Sequence, residues 1–370
     1  MFNFSELKQV NLEITNRCQA ACPMCPRNIH GGIENPLLKI NDWTIDDFTT
    51  IFTPELTRQI QVFDFCGNFG DPLMNNDLIK MCKYIKTENP SALTIIHTNG
   101  SLRSSEWWSQ LIHSLTLSHN IVFALDGLDD THSLYRINTS FTTIIKNATT
   151  FINTGGTATW HYIRFHHNAH QVNDAQSLAT TLGFKEFTIK DSRRFTNPKF
   201  KVVNPDGSES HVLEPALKTI PIVNKLVLLD TYDVWANSNR ISCFALDERD
   251  VFIDAHFTVM PCCILSSFLY TNYDEEILKQ YNLHDADTSV NQIGETIKQQ
   301  VLDTIDTLGG FDALNARTNG VKNIIDNAVW QTIWQEQWRT HKSLTCMLMC
   351  SKDSPFLSLQ KQITSTTQVN

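Results

Sequence analysis

The sequence predicts an α/β protein: a partial (β/α)6 barrel of the TIM type, with a carboxyl-terminal extension made of a β-hairpin plus helices. Three observations carry this prediction. Apolar, β-branched runs alternate with helix-compatible segments through residues 1–191, the pattern of βαβ units on a parallel sheet. That alternation then dissolves into turn signals at Asn197-Pro198, Asn204-Pro205-Asp206-Gly207 and Glu214-Pro215, which mark a long connection. Finally, the cysteines gather at the two ends of the chain, leaving none between Cys82 and Cys243.

The strand candidates, in order, are Val10–Thr15, Gln61–Phe65, Leu93–Thr98, Ile121–Leu125, Thr159–Phe165 and Phe184–Ile189. Helical segments such as Asn76–Lys86, Ser104–Leu115 and Val172–Leu182 lie between them. Because such crossovers are right-handed, six repeats curl towards a barrel, with functional groups at the carboxyl ends of the strands. Asp250–Ile264 reads as a hairpin with its corner near Ala255-His256, and Glu275–Thr340 reads as mostly helical, broken at Leu308-Gly309-Gly310 and Thr318-Asn319-Gly320. The expected division is therefore a barrel over 1–191, a connecting segment over 192–242, a cysteine-bearing unit over 243–359 and a frayed polar tail over 360–370.

Composition excludes several classes. A hydrophobic fraction of 41% over 370 residues fits a chain with a sizeable core and argues against disorder. Thirty Lys and Arg against thirty-nine Asp and Glu leave a formal charge of −9. Affinity for phosphates comes mainly from clustered Lys and Arg, so direct nucleic-acid binding is not expected. No apolar run reaches the ~18 residues of a membrane helix, and Met1–Glu6 has neither the basic nor the apolar stretch of a signal peptide. The expected location is the cytoplasm, without a membrane partner. In a reducing compartment, ten cysteines mean metal or redox chemistry rather than disulfides.

The first strand candidate leads into Cys18-Gln19-Ala20-Ala21-Cys22-Pro23-Met24-Cys25. Three thiols at C-x3-C-x2-C on one loop can converge on an inorganic centre. With a fourth ligand such as His30 the centre is zinc; with three thiolates alone, an iron–sulfur cluster keeps one open iron, and open positions make metal sites reactive. Spacing leaves both readings open.

The motif resembles the signature of the radical S-adenosylmethionine superfamily, with Met24 in the variable apolar slot. The likeness continues through the barrel. Cys66-Gly67-Asn68-Phe69-Gly70-Asp71-Pro72 stands where that family has a G-G-E-P turn, Phe69 replacing the first glycine and Asp71 the glutamate. His97-Thr98-Asn99-Gly100 is similar to its T-N-G. Ala124-Leu125-Asp126-Gly127, followed by His132 and Arg136, is similar to its S-x-D-G with later His and Arg, Ala124 standing for the serine. The resemblance implies a [4Fe–4S] cluster on Cys18, Cys22 and Cys25 whose open iron binds S-adenosylmethionine. It implies cofactor contacts from Met24, Gly70, Asp71, Asn99, Asp126 and Arg136, the arginine holding the methionine carboxylate. One-electron cleavage of the cofactor would give a 5′-deoxyadenosyl radical that abstracts hydrogen from substrate.

Cys243, Cys262, Cys346 and Cys350 supply four more thiols, which by spacing alone fit zinc or iron–sulfur. The hairpin Phe252–Cys263 resembles that of SPASM and twitch extensions, which implies one auxiliary [4Fe–4S] cluster. Cys262 matches the family ligand, and its neighbour Cys263 is an alternative. Phe257 takes the place of the usual glycine, so a different turn is expected there. Trp330, Trp334 and Trp338 share a helical face, read as packing rather than a stacking platform. Cys66 and Cys82 read as small buried hydrophobes. His161, Tyr162, Arg164, His166, His167, Asn168, Lys190, Asp191, Arg193 and Arg194 follow the fifth and sixth strands and are the substrate-side candidates. Their Arg and Lys suit an anionic substrate.

The function expected is thus a radical S-adenosylmethionine enzyme acting on a peptide, protein or small molecule, with an external electron donor such as flavodoxin or ferredoxin. Only seventeen residues precede Cys18, so no amino-terminal leader-peptide-binding domain is expected. The contrasting expectation is a non-catalytic binding or sensor protein stabilised by zinc or a cluster on the same fold.

Overall fold

The computed structural model describes residues 1–192, 194–195, 197–216, 237, 239–270, 288–340, 343–351 and 366–368, giving only the backbone of 288–293, 338–339 and 366–368. The strands run β1 (Gln9–Leu12), β2 (Asn28–Ile29), β3 (Ile33–Glu34), β4 (Val62–Phe65), β5 (Leu93–Thr98), β6 (Ser118–Ala124) and β7 (Ala158–Arg164). They continue as β8 (Glu186–Asp191), β9 (Phe200–Val203), β10 (Glu209–Leu213), β11 (Asp250–Ile253), β12 (Val259–Met260) and β13 (Thr366–Gln368).

The six barrel strands expected from the sequence are β1 and β4 to β8, paired side by side in parallel. They form most of a nine-stranded sheet of order β12-β11-β1-β4-β5-β6-β7-β8-β13. Because this sheet ends in two edges, the barrel is partial. The hairpin of the extension does not stand alone, since β11 pairs in parallel with β1 and β12 turns back antiparallel on β11. This covers the amide row that β1 would otherwise expose. At the other edge Thr366–Gln368, in the tail expected to fray, pair antiparallel with β8.

Alternation along the strands separates two faces. Val10, Leu12, Phe63, Phe65, Ile96, Phe123, Trp160 and Phe187 join one core with helix residues Phe48, Met81, Trp108, Leu111, Phe151 and Ala179. Cys82 is buried in that core, as read. The opposite, inner face carries polar residues instead: Asn11, Glu13, Asp64, His97, His161 and Lys190. The helices start where the sequence offers caps: Ser104 accepts from Trp107 N and Ser140 from Thr143 N. Among the described residues, the helical stretch of the extension runs from Thr288 to Arg339 with the expected breaks at 308–309 and 320 and further ones at 314–315 and 326–327. Trp330 and Trp334 are buried and meet edge to face at 5.9 Å, which is packing. The Trp338 side chain lies outside the described residues. No described helix is long and apolar enough to cross a membrane.

Candidate active site at the strand ends

All ten cysteines are free thiols. Cys18, Cys22 and Cys25 lie on the loop leaving β1, packed with Met24, Tyr135, Ile163, Phe165 and Phe195 in a small second core. Burial pushes the Cys22 thiol up to about 11 against the pull of Arg136. Burial, then the charge of Asp71, pushes Cys18 higher still. Each thiol has a polar neighbour from a different element. Asn99 Nδ2 is 3.7 Å from Cys18 Sγ, Arg136 Nη1 is 3.7 Å from Cys22 Sγ, and the Asn68 carbonyl is 3.9 Å from Cys25 Sγ.

The turn after β4 is built against this loop. Asp71 N donates to Arg17 O at 2.8 Å. A side chain on Gly70 would run into the Thr15 carbonyl, and one on Gly67 into that of Gly70, so both glycines are needed for the close approach. Glu13, at the end of β1, accepts from Phe69 N at 2.6 Å and Gly70 N at 3.1 Å, which turns the carbonyls of the loop away from it. Glu13 is fully buried, and burial pushes its carboxyl up to about 8.

Asp71 ties this turn to the one after β5. Its carboxylate accepts from Leu73 N (3.0 Å), Thr98 Oγ1 (2.9 Å to both oxygens), Asn99 N (2.8 Å) and Asn99 Nδ2 (2.6 Å). Burial raises its pKa despite these donors. The oxygens expected to reach a ligand ammonium are thus engaged within the protein, and the turn offers its backbone. Asn99 also exchanges hydrogen bonds with Gln19, Oδ1 accepting from Nε2 at 2.7 Å, which anchors the cysteine loop from within. Gln19 escaped the sequence reading because an x position inside a motif carries no signal of its own.

Asp126 and Arg136 form the third wall. Arg136 Nε donates to Asp126 Oδ2 at 2.6 Å, and Asp126 Oδ1 accepts from Ile163 N at 2.5 Å. Burial opposes the arginine's charge, but Asp126 and Cys22 outweigh it and hold its pKa above the usual value. His132 positions the pair. Its Nδ1 accepts from Asp126 N at 3.2 Å, so Nε2 carries the proton towards Thr139 Oγ1 at 2.9 Å, and that hydroxyl donates to Arg136 O at 2.6 Å. Burial, then Arg136, drives His132 down to about 3, so it stays neutral.

The substrate-side candidates separate. His161 and Lys190 face the inner side. Tyr162 is buried with its hydroxyl on Asn168 O at 2.7 Å, and Asn168 braces the loop after β7. Arg164 pairs with Asp191 through two 2.9 Å hydrogen bonds. His167 stacks on Phe165. Arg194 donates to Met24 O at 2.7 Å, and Ser192 Oγ lies 3.4 Å from Met24 Sδ, so the exit of β8 holds the cysteine loop. Arg193 lies outside the described residues. His30, the zinc alternative, has Nδ1 2.6 Å from Lys201 O and stacks on Phe200 at 4.4 Å, which ties it to the β9–β10 hairpin. Among the described residues, no three His, Cys, Asp or Glu side chains converge closely enough for a single metal ion.

The second thiol set also gathers. Cys243 and Cys262 cap short helices, and Cys346 and Cys350 share a face of helix Leu344–Cys350. Ser242 N donates to Cys350 O at 2.7 Å. Burial pushes Cys243 up to about 11 and Cys350 to about 12, and Cys346 adds to both. Cys262 rises well above its ordinary value through burial, then Cys263, Cys346 and Cys243. Burial, then Asp250 and Asp64 on the inner face, push Cys263 to about 12, and Cys263 in turn adds to Cys350. Cys66, read as a buried small hydrophobe, is half-buried on that face with Sγ 2.5 Å from Asn11 Oδ1. Phe257 takes φ +70°, so the hairpin turn keeps a left-handed residue without a glycine, its ring held 5.2 Å from Trp43.

No family model and no curated protein matches the chain. Among solved structures it is similar to Streptococcus suis SuiB bound to S-adenosylmethionine, at 14% identity and TM-score 0.46 over 70% of this chain and 61% of that one. It is similar to BtrN in complex with AdoMet and 2-DOIA, at 12% identity and TM-score 0.45 over 94% and 93%. It is also similar to native anSMEcpe with bound AdoMet, at 13% identity and TM-score 0.43 over 96% and 98%. The chain spans 61% of the length of SuiB. Likeness at this level concerns overall course only, and the chemistry rests on the residues described above.

Proposed function

We propose that this chain is a radical S-adenosylmethionine enzyme. The observation that carries the reading is the convergence on one three-cysteine loop of three strand-end turns, each placing a polar group beside a different thiol. The donor set suits a cluster. The thiols are free, and burial favours the protonated form of Cys18 and Cys22, so a cationic inorganic centre is what would hold these two as thiolates. Arg136 beside Cys22 offsets part of the negative charge that three thiolates bring.

In this reading Cys18, Cys22 and Cys25 hold a [4Fe–4S] cluster, and Cys243, Cys262, Cys346 and Cys350 hold an auxiliary one. Cys262 is the hairpin ligand in this reading, and Cys263 beside it is the alternative. When bound, the open iron and S-adenosylmethionine supply reductive cleavage of the sulfonium and a hydrogen-abstracting radical. The chain's own residues bind and orient. The carbonyls of the 66–70 turn take the methionine ammonium, because Asp71 is committed to the turns themselves. Arg136, set by Asp126 and His132, takes the carboxylate, and Met24 offers an apolar wall. Asn99, held by Asp71 and Gln19, keeps Cys18 in place. A low-potential donor of flavodoxin or ferredoxin type and a reducing compartment such as the cytoplasm belong to this reading. The substrate is a peptide or a small molecule.

Anaerobic reconstitution with iron and sulfide, then dithionite and S-adenosylmethionine, tests it. The expected result is release of 5′-deoxyadenosine by the wild type and none by Cys22→Ala. A protein that takes up only zinc would overturn the proposal.

A further inference from the structure

Two asparagine side chains fasten the segment after the hairpin cysteines to the first cysteine loop, and the cofactor reading uses neither. Asn68 Nδ2, in the turn after β4, donates to Cys263 O at 2.8 Å, while the Asn68 carbonyl lies 3.9 Å from Cys25 Sγ. Asn35 Nδ2 donates twice, to Pro26 O at 2.9 Å and to Tyr270 O at 2.6 Å. Pro26 follows Cys25, and Tyr270 lies downstream of Cys262 and Cys263. The Phe69 and Tyr270 rings also meet edge to face at 5.4 Å. The two bridges to the hairpin segment span 195 and 235 positions of sequence, so neither serves local structure.

The sheet fixes the feet of both loops. β1 and β11 are neighbours, and Glu13 N donates to Ile253 O at 3.0 Å. Above them, the helix Cys263–Ser267 has five residues with Cys262 as its N-cap, too few to hold a place by its own hydrogen bonds. Leu265 packs it on the core. That leaves its ends to be placed by whatever Cys262 is bonded to on one side, and by Asn68 and Asn35 on the other. A filled hairpin centre keeps the Cys263 and Tyr270 carbonyls where the two amides need them. When the helix shifts, the buried Asn35 Nδ2 loses an acceptor, and a buried donor without a partner is costly. The same nitrogen holds Pro26 O, so the disturbance reaches the residue beside Cys25.

We infer that Asn68 and Asn35 are positioning residues that couple the two thiol sets. Metal on Cys243, Cys262, Cys346 and Cys350 then slows the loss of metal from Cys18, Cys22 and Cys25. The inference rests on the reading that both sets hold a centre and goes beyond it, because two independent centres satisfy that reading equally. Coupling acts in both directions, so a filled first loop also protects the second set.

The test times the exposure of thiols rather than turnover. Protein loaded anaerobically with iron and sulfide is mixed with excess EDTA and iodoacetamide, and mass spectrometry follows the labelling of Cys22. Cys346→Ser/Cys350→Ser removes the second set, and Asn68→Leu keeps the size of the side chain without its donor. With Asn68 in place, losing the second set is expected to speed Cys22 labelling about tenfold. Asn68→Leu alone should speed it by a similar factor, and losing the second set in that background should add at most about twofold. Effects that multiply in the combined variant would overturn the coupling, since a merely structural asparagine gives that result. Cys22 labelling indifferent to the second set would overturn it as well. Should Asn68→Leu take up no iron, Cys22→Ala decides: faster labelling of Cys346 and Cys350 supports the coupling, and unchanged labelling overturns it. Failure of the enzyme reading shows separately, as zinc in place of iron or absent 5′-deoxyadenosine with the labelling pattern intact.

Discussion

Arg136 holds Asp126 at 2.6 Å with its Nε and lies 3.7 Å from the Cys22 sulfur with its Nη1. One guanidinium therefore joins the end of β6 to the cysteine loop. Arg136→Met leaves the fully buried Asp126 without its counter-charge. Removing one partner of a buried pair costs about 3–5 kcal/mol, and urea unfolding should show a loss of that order. In Asp126→Asn/Arg136→Met the loss should shrink, because no uncompensated charge remains. S-adenosylmethionine binding should fail in both variants.

Gly70→Ala places a methyl group against the Thr15 carbonyl. Backbone gives way poorly, so overpacking of about 1–3 kcal/mol is expected. Because Asp71 N hangs on Arg17 O in the same contact, the cysteine loop should shift as well. Iron bound per chain after reconstitution should fall along with the melting temperature.

Asp71→Asn replaces an acceptor of several hydrogen bonds with a side chain that brings two N–H groups to donors. Leaving buried donors unsatisfied costs about 1–3 kcal/mol. Thermal unfolding should show this loss, and the joined turns after β4 and β5 should become more open to amide exchange.

The pH dependence has a definite sign. Glu13 and Asp250 are pushed up to about 8, burial being the first cause in each. Unfolded, they ionise near their ordinary values of 4.5 and 3.8. Their contribution is fully present below those values and is lost as pH rises through about 8. Stability measured by urea between pH 5 and 8 should therefore decline from these two groups. Glu13→Gln keeps an oxygen for Phe69 N and Gly70 N and should flatten the slope. A slope unchanged in that variant would mean Glu13 is ionised in the folded protein.

The two neighbouring cysteines of the hairpin should part company. Cys262→Ala is expected to lose about half of the iron and of the visible absorbance, and Cys263→Ala to keep both. Iron analysis of the two variants decides which thiol serves the second centre.

Much of this was legible in the sequence because it is local. Strand and helix periodicity, the C-x3-C-x2-C loop and the strand-end turns are set by residues close together in the chain. The Val172–Leu182 helix and the Leu93–Thr98 strand fall where periodicity puts them. Contacts between distant segments left no such trace. The pairing of β11 with β1 joins residues about 240 positions apart. Gln19 on Asn99, Arg194 on Met24 and Glu13 on the Phe69–Gly70 amides are invisible to spacing, since nothing local requires them.

By itself, then, the sequence determined the α/β class, the order of the elements and which thiols lie on common loops, because hydrophobic period and turn chemistry act over a few residues. Only the tertiary structure decided what each side chain faces. Parallel register set His161 beside Lys190 on the inner face and Tyr162 in the core, and burial turned Asp71 from a candidate ligand contact into the tie between two turns. The physical reason is that a buried polar group must be satisfied by whatever the fold brings within hydrogen-bond distance.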